Sequence, residues 1–196
     1  MGFRTEVIEG PAVDPITLDE AKRHARIPLD LDDDDASILL YVKAATRYVE
    51  RRSGRKLVSQ RLRTTFDEWP RHAGPIVLPW AAVLSIEAVS CVDDDGEPVD
   101  LDVGEWEGKP GTPGVIRRPR AIRCEAWPRG PAVVEYTAGY GDAAAVPEDA
   151  KLAVAILAAS WFNRRENVVT GTIVSRVPVA TVDDLIGGLR WGSYPR

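Results

Sequence analysis

"VPEDAKLAVAILAASWFNRREN", Val146 to Asn167, is the stretch on which the fold turns. From Leu152 to Phe162 the residues are apolar on nearly every side of a helix, and a helix of that kind is buried all round. The spacing therefore predicts a central helix with the rest of the chain folded about it. Pro147 suits the first helical position, and Glu148 and Asp149 suit the first turn, where the helix dipole favours negative charge. Arg164 and Arg165 suit the last turn. The uncharged run Leu152–Asn163 is too short to cross a membrane, which takes roughly 20 residues.

Two further helices lie upstream. "TLDEAKRHARI" carries a capping box, with the Thr17 hydroxyl and the Glu20 carboxylate each taking an orphan backbone N–H. Pro28 stops that helix after Ile27. In "LDLDDDDASILLYVKAATRYVERRSG", Leu29 to Gly54, the residues Ile38, Tyr41, Val42, Ala45, Tyr48 and Val49 recur at spacings of three and four, which is one face of an α-helix. Ser53-Gly54 caps its end. The aspartates Asp32–Asp35 sit where N–H groups lack partners, and Asp34 or Asp35 is the expected N-cap. Consecutive aspartates lack the alternating spacing of a calcium loop, and no glycine follows them.

Leu57 to Tyr140 has a different texture. "RLRTTF", "PIVLP", "VLSIEAVSCV", "GVIRR" and "AVVEYTAGY" read as short strands. Pro75 and Pro79 confine the second to a short or edge strand. The Asp-Gly pair in Asp93–Pro98 predicts a hairpin turn, and "EWEGKPGTPG", Glu105 to Gly114, reads as a loop. Charge separates in this region. Asp93, Asp94, Asp95, Glu105 and Glu107 make an acidic run, and Arg117, Arg118, Arg120 and Arg123 a basic one. Both read first as solvated faces; the alternative is a pair of patches that meet across a subunit boundary.

The last 30 or so residues are rich in Gly, Val and Thr yet keep Leu185, Ile186, Leu189, Trp191 and Tyr194. A solvated disordered tail would be polar and poor in aromatics. An extended tail with apolar anchors needs a surface to lie on, and "VDDLIGGL" has room for one or two helical turns.

The totals agree with an ordinary globular protein: 196 residues, 44% hydrophobic and 28% charged. A net charge of −5 argues against a broad nucleic-acid-gripping face. Cys91 and Cys124 form no CxxC, and the N-terminus has no apolar signal core, so synthesis in a reducing cytoplasm with two free thiols is the expectation. His24 and His72 have no second ligand at zinc spacing. No nucleophile elbow, HExxH or phosphate loop occurs. No catalytic residue, metal ligand or cofactor is therefore expected.

The order of motifs resembles the head-to-tail connector, or adaptor, proteins of tailed bacteriophages and gene-transfer agents, in the longer branch that carries a β insertion. The resemblance rests on Leu18–Lys22, the acidic stretch Asp30–Asp35, Tyr48–Glu50 and Gly54-Arg55. It continues in "YTAGYGDAAAVPED", the apolar helix ending in "WFNRRE", and the closing "VDDLIGGLRWGSYPR". Trp191-Gly192-Ser193 departs from the family's usual ending. The fold it implies is α+β: a small helical bundle around a buried C-terminal helix, with a β-rich insertion between the helices and an extended C-terminal tail. The parts would be an N-terminal helical part of the adaptor core (1–56), the β-rich insertion (57–140), the buried core helix (141–167) and a docking tail (168–196).

The function it implies is structural. Such proteins form a ring, usually of twelve copies, beneath the portal protein of the virion. They extend the channel for double-stranded DNA, which passes without specific binding, and carry the stopper or tail-completion protein. The tail residues Leu185, Ile186, Leu189, Trp191 and Tyr194 would dock on the portal, and the two charge runs would pair between subunits. No membrane is involved. The alternatives are another neck protein, such as a stopper or tail terminator, and a small metal-dependent cytoplasmic enzyme.

Overall fold

The computed structural model describes residues 2–69, 74–92, 98–102, 104–117, 131–164 and 177–190. The chain is of the α+β class and divides into two compact units. One comprises Met1–Pro11 with Ser59–Tyr140, the other Ala12–Val58 with Gly141–Arg196.

The second unit is helical. It contains α1 (Leu18–Ala25), α2 (Asp35–Ser53), α3 (Glu148–Asn163) and α4 (Val177–Gly187). Helix α3 packs against each of the other three. It buries Ala150, Ala153, Val154, Ala155, Leu157 and Ala158, and its alanines let neighbouring helices approach closely, since interaxial distance follows side-chain size. Burial is not complete: Leu152 is exposed. Pro147 stands at the N-cap rather than in the first turn, with an extended backbone (ψ 141°) and no side-chain cap.

The α1 capping box forms as the sequence predicts: the Thr17 N–H donates to Glu20 Oε2 at 2.7 Å and the Glu20 N–H donates to Thr17 Oγ1 at 3.2 Å. Such a cap is worth about 1 kcal/mol. Helix α1 ends at Ala25, two residues before the expected stop, because Arg26 takes the left-handed conformation (φ 60°). The Ile27 N–H then donates to the Lys22 carbonyl at 2.9 Å, closing the end.

Helix α2 buries Ile38, Val42, Ala45 and Val49. Tyr41 and Tyr48 meet Phe162 and Trp161 of α3 edge to face, with ring centroids 6.2 and 6.1 Å apart. Such pairs add about 0.5–1.5 kcal/mol beyond the area they bury. Gly54 caps α2 at φ 71°, donating to the Glu50 carbonyl at 2.9 Å.

The first unit holds β1 (Phe3–Glu9), β2 (Gln60–Phe66), β3 (Ile76–Val77), β4 (Val83–Val92), β5 (Pro98–Asp100), β6 (Glu107–Lys109), β7 (Val115–Arg117) and β8 (Ala132–Ala138). Five of these form an antiparallel sheet in the order β1-β2-β8-β4-β5, and the rest a sheet in the order β3-β7-β6. Alternation sets the faces. Leu62, Thr64 and Phe66 of β2 lie buried opposite Tyr136, Val134 and Ala132 of β8. Their core also takes in Trp69, Ile76, Leu78 and Ile116. The Tyr136 hydroxyl lies 3.1 Å from Thr64 Oγ1, so both buried hydroxyls are hydrogen-bonded. On the opposite face Glu135 takes Arg61 at 2.8 Å and Arg63 at 2.6 Å.

Three elements depart from the sequence reading. Phe3–Glu9, inside a stretch expected to be helical, is a strand, because it pairs along β2 from Phe3↔Phe66 to Glu9↔Arg61. The Glu105–Gly114 loop contains β6, paired with β7. Gly108 permits this, since a Cβ there would lie 2.5 Å from the Trp106 ring. The tail contains the three-turn α4 instead of running extended, because Val182 and Ile186 become buried as α4 packs on α2 and α3. The expected turn Asp93–Pro98 lies, apart from Pro98, outside the described residues; β4 and β5 on either side of it pair antiparallel.

Candidate assembly surfaces

The acidic run before α2 is fastened from α1. Lys22, only 2% exposed, donates from Nζ to the Leu31 carbonyl at 2.7 Å and the Leu29 carbonyl at 3.3 Å. The same ammonium pairs with the Asp35 carboxylate. Asp34 occupies the N-cap, but its backbone (φ −102°, ψ 1°) lies outside the extended region that capping needs, and its side chain makes no capping hydrogen bond. Asp30, Asp32 and Asp33 point to solvent. Among the described residues no group of three His, Cys, Asp or Glu side chains could hold a metal ion.

The turn after α2 is built on a buried charge. Glu50 accepts from Lys56 Nζ at 3.0 Å and from the Leu57 N–H at 3.1 Å. Beside it, Arg55 Nε donates to the Leu189 carbonyl at the end of α4. Arg52 grips Asp183 of α4 through two hydrogen bonds of 2.6 and 3.1 Å, and Arg190 reaches the same carboxylate at 3.1 Å. The hydrogen bond from Arg52, then the charges of Arg52 and Arg190, hold the Asp183 carboxyl below the usual range.

These contacts sort the residues expected to dock on a partner. Ile186 is fully buried and anchors α4 to its own unit. Leu185 and Leu189 are half-buried. Trp191 and Tyr194 lie outside the described residues.

The charge runs sort in a similar way. Glu107 on β6 and Arg117 on β7 are exposed and directly opposite each other in register. Cross-strand partners of opposite charge attract within one chain, so Glu107 and Arg117 are placed to serve each other intramolecularly. Glu105 accepts from the Asp102 N–H at 2.7 Å. Asp93, Asp94, Asp95, Arg118, Arg120 and Arg123 lie outside the described residues.

The sequence reading used Lys22 only as part of the Leu18–Lys22 motif, without its buried role, and missed β1. A lysine between alanines in "DEAKRHA" looks like an ordinary solvated position, and only the carbonyls returning from the acidic loop make it a buried one. For β1 a signal existed: "FRTEV" alternates apolar or small with charged residues.

No curated protein matches the chain. Solved structures do. A chain from the virion of a native gene transfer agent (GTA) particle is 25% identical, with a TM-score of 0.77 over 97% of both chains. A chain from the neck of a native GTA particle, computed with C12 symmetry, is 26% identical, with a TM-score of 0.70 over 97% of both. A chain from the neck of an empty GTA particle, computed with C6 symmetry, shares the fold at 24% identity and a TM-score of 0.76, covering 98% of this chain and 97% of that one. The model of the head completion protein family (HCP) matches residues 15–175.

Proposed function

Because this chain belongs to the head completion protein family, we propose that it is a structural protein of the neck of a phage-like or gene-transfer-agent particle. Within the neck it acts as the head–tail adaptor. Copies form a ring beneath the portal protein, with the twelve-fold symmetry of the native neck it resembles. The ring extends the DNA channel and seats the stopper or tail-completion protein. The observation that carries this reading is the match to a neck chain over 97% of both lengths, which includes the helical and the β unit alike.

The chemistry of the chain supports the role. Glu20, Asp35, Glu50, Glu135 and Asp183 are engaged in a cap, a turn and ion pairs that set shape. Its net charge of −5 suits a channel along which DNA slides, since a basic lining would hold phosphates by counterion release. Ring contacts at the rim carry about 0–1 kcal/mol per ion pair, so apolar contacts must supply most of the assembly energy. Many copies held on one template then reinforce each other.

Docking on the portal is assigned to the C-terminal end: Leu185 in the last turn of α4, Leu189 just after it, and Trp191 and Tyr194 farther along the chain. The test is co-purification with the cognate portal. A chain ending after Arg190 keeps α4 and its buried anchors, and should bind at least about tenfold more weakly, a loss of about 1.4 kcal/mol. Equal binding by the full and shortened chains would remove the C-terminal end from the interface. Substituting Glu107→Arg together with Arg117→Glu tests the charge runs. Unchanged ring formation is expected if the two residues serve each other within a chain.

A further inference from the structure

The five-stranded sheet ends at two edges, and its apolar face runs off both. At one edge, Phe3, Thr5 and Val7 of β1 stand opposite Phe66, Thr64 and Leu62 of β2. Those three β2 side chains are buried, yet Phe3 is 47% and Val7 52% exposed. At the other edge, Val99 of β5 stands opposite the buried Cys91 of β4 and is 43% exposed. Residues directly opposite in an antiparallel pair share a face. Phe3, Val7 and Val99 therefore belong to the core side of the sheet, but at its ends the described residues leave that side exposed.

Edges that must stay single are usually blunted by proline, lysine or a bulge. In β1 no proline or lysine occurs; β5 carries one proline, Pro98, at its first position, where proline is tolerated in a strand. A register shift between Val7 and Glu9 disturbs the far end, while Phe3 to Val7 stays in regular register with β2. Arg4 and Glu6 pair with each other at 2.7 Å on the opposite face, which leaves the apolar row clear of charge. Among the described residues β1 pairs with β2 alone and β5 with β4 alone.

We infer that the β1 edge of one copy takes the β5 edge of the next copy as an added strand, so that the sheet continues from subunit to subunit around the ring. The inference rests on the ring reading above and adds to it the interface that closes the ring. Two different edges of one sheet meet, which is the heterologous contact that a cyclic assembly requires. A single joint covers Phe3 and Val7 on one side and Val99 on the other. Main-chain hydrogen bonds supply register, and the apolar row supplies energy, as in other strand additions. The occupant is a second copy because the chain itself offers the matching apolar edge, and because a chain it resembles stands in a neck computed with C12 symmetry.

The test is amide hydrogen exchange on the free chain and on the ring assembled with the cognate portal. Exchange in both Phe3–Val7 and Val99–Leu101 should slow by about tenfold or more in the ring. If the ring forms and both segments exchange as in the free chain, the inference is overturned and the ring reading stands. Protection of β1 alone also overturns it, because the occupant is then not the β5 of a neighbour. If no ring forms, both fall together. A second arm uses Val7→Lys and Val99→Lys, which place charge at half-exposed positions. Each should melt as the parent does and need at least about tenfold more protein to form rings, a difference of about 1.4 kcal/mol. Rings at parental concentrations would contradict strand addition.

Discussion

Lys22 leaves α1 to hold two carbonyls and a carboxylate of the acidic loop. Replacing it with methionine keeps the bulk and strips those acceptors of their donor. Breaking buried charged contacts costs up to 3–5 kcal/mol, and Asp35 is partly solvated, so Lys22→Met should lower stability by about 2 kcal/mol in urea unfolding. Asp32→Asn with Asp33→Asn should stay within about 0.5 kcal/mol of the parent, because both side chains face water. The loop's order thus depends on one lysine more than on its run of aspartates. Glu50→Ala should cost about 3 kcal/mol, since it strands Lys56 and the Leu57 N–H in the interior. Glu20 and Glu135 give the pH dependence. The Thr17 N–H holds the Glu20 carboxyl below its usual 4.5, and the hydrogen bond from Arg63 does the same for Glu135. A depressed folded pKa stabilises above the unfolded value. That stability is present above about pH 4.5 and is lost as pH falls through the lower folded values. The unfolding midpoint should therefore be flat near neutrality and fall below pH 4.5, as a series of urea titrations would show.

At the scale of elements, α4 shows where sequence reading ran out. The tail rich in Gly, Val and Thr, within which Pro178 lies, reads as extended chain with room for one or two helical turns. Proline is tolerated in a first helical turn, however, and only the burial of Val182 and Ile186 on α2 and α3 makes the turn persist. Ile186→Ala should destabilise the helical unit by at least about 2 kcal/mol and speed amide exchange in α4 first. Asp183 makes attachment acid-sensitive. Its carboxyl is held below its usual 3.8 by Arg52, so the grip holds above that value and is lost as pH falls through the lower folded pKa. Asp183→Asn should reproduce the loss at neutral pH, seen as faster exchange in α4 with α1 unchanged. The capped helix α1, the amphipathic α2 and the apolar α3 were legible because periodicity and caps are local. The strand β6 was not. Gly108 marks a loop by composition, and its strand state depends on the Trp106 ring needing the space a side chain would fill. The strand β1 carried an alternating pattern, but its partner β2 lies more than fifty residues away.

For the whole molecule, the order of motifs along the chain carried the functional reading, and the family match and the neck structures support it. The interfaces were less legible. A sequence shows apolar and charged residues without showing which of them the chain keeps for itself. Ile186 is used inside its own unit, and Glu107 and Arg117 face each other within one chain. Phe3, Val7 and Val99 remain open at the sheet edges. The most direct measurement is electron cryo-microscopy of the full chain mixed with its cognate portal protein. A ring of this chain seated beneath the portal, coaxial with the DNA channel, is the predicted result. A portal that stays bare at saturating protein would contradict the account.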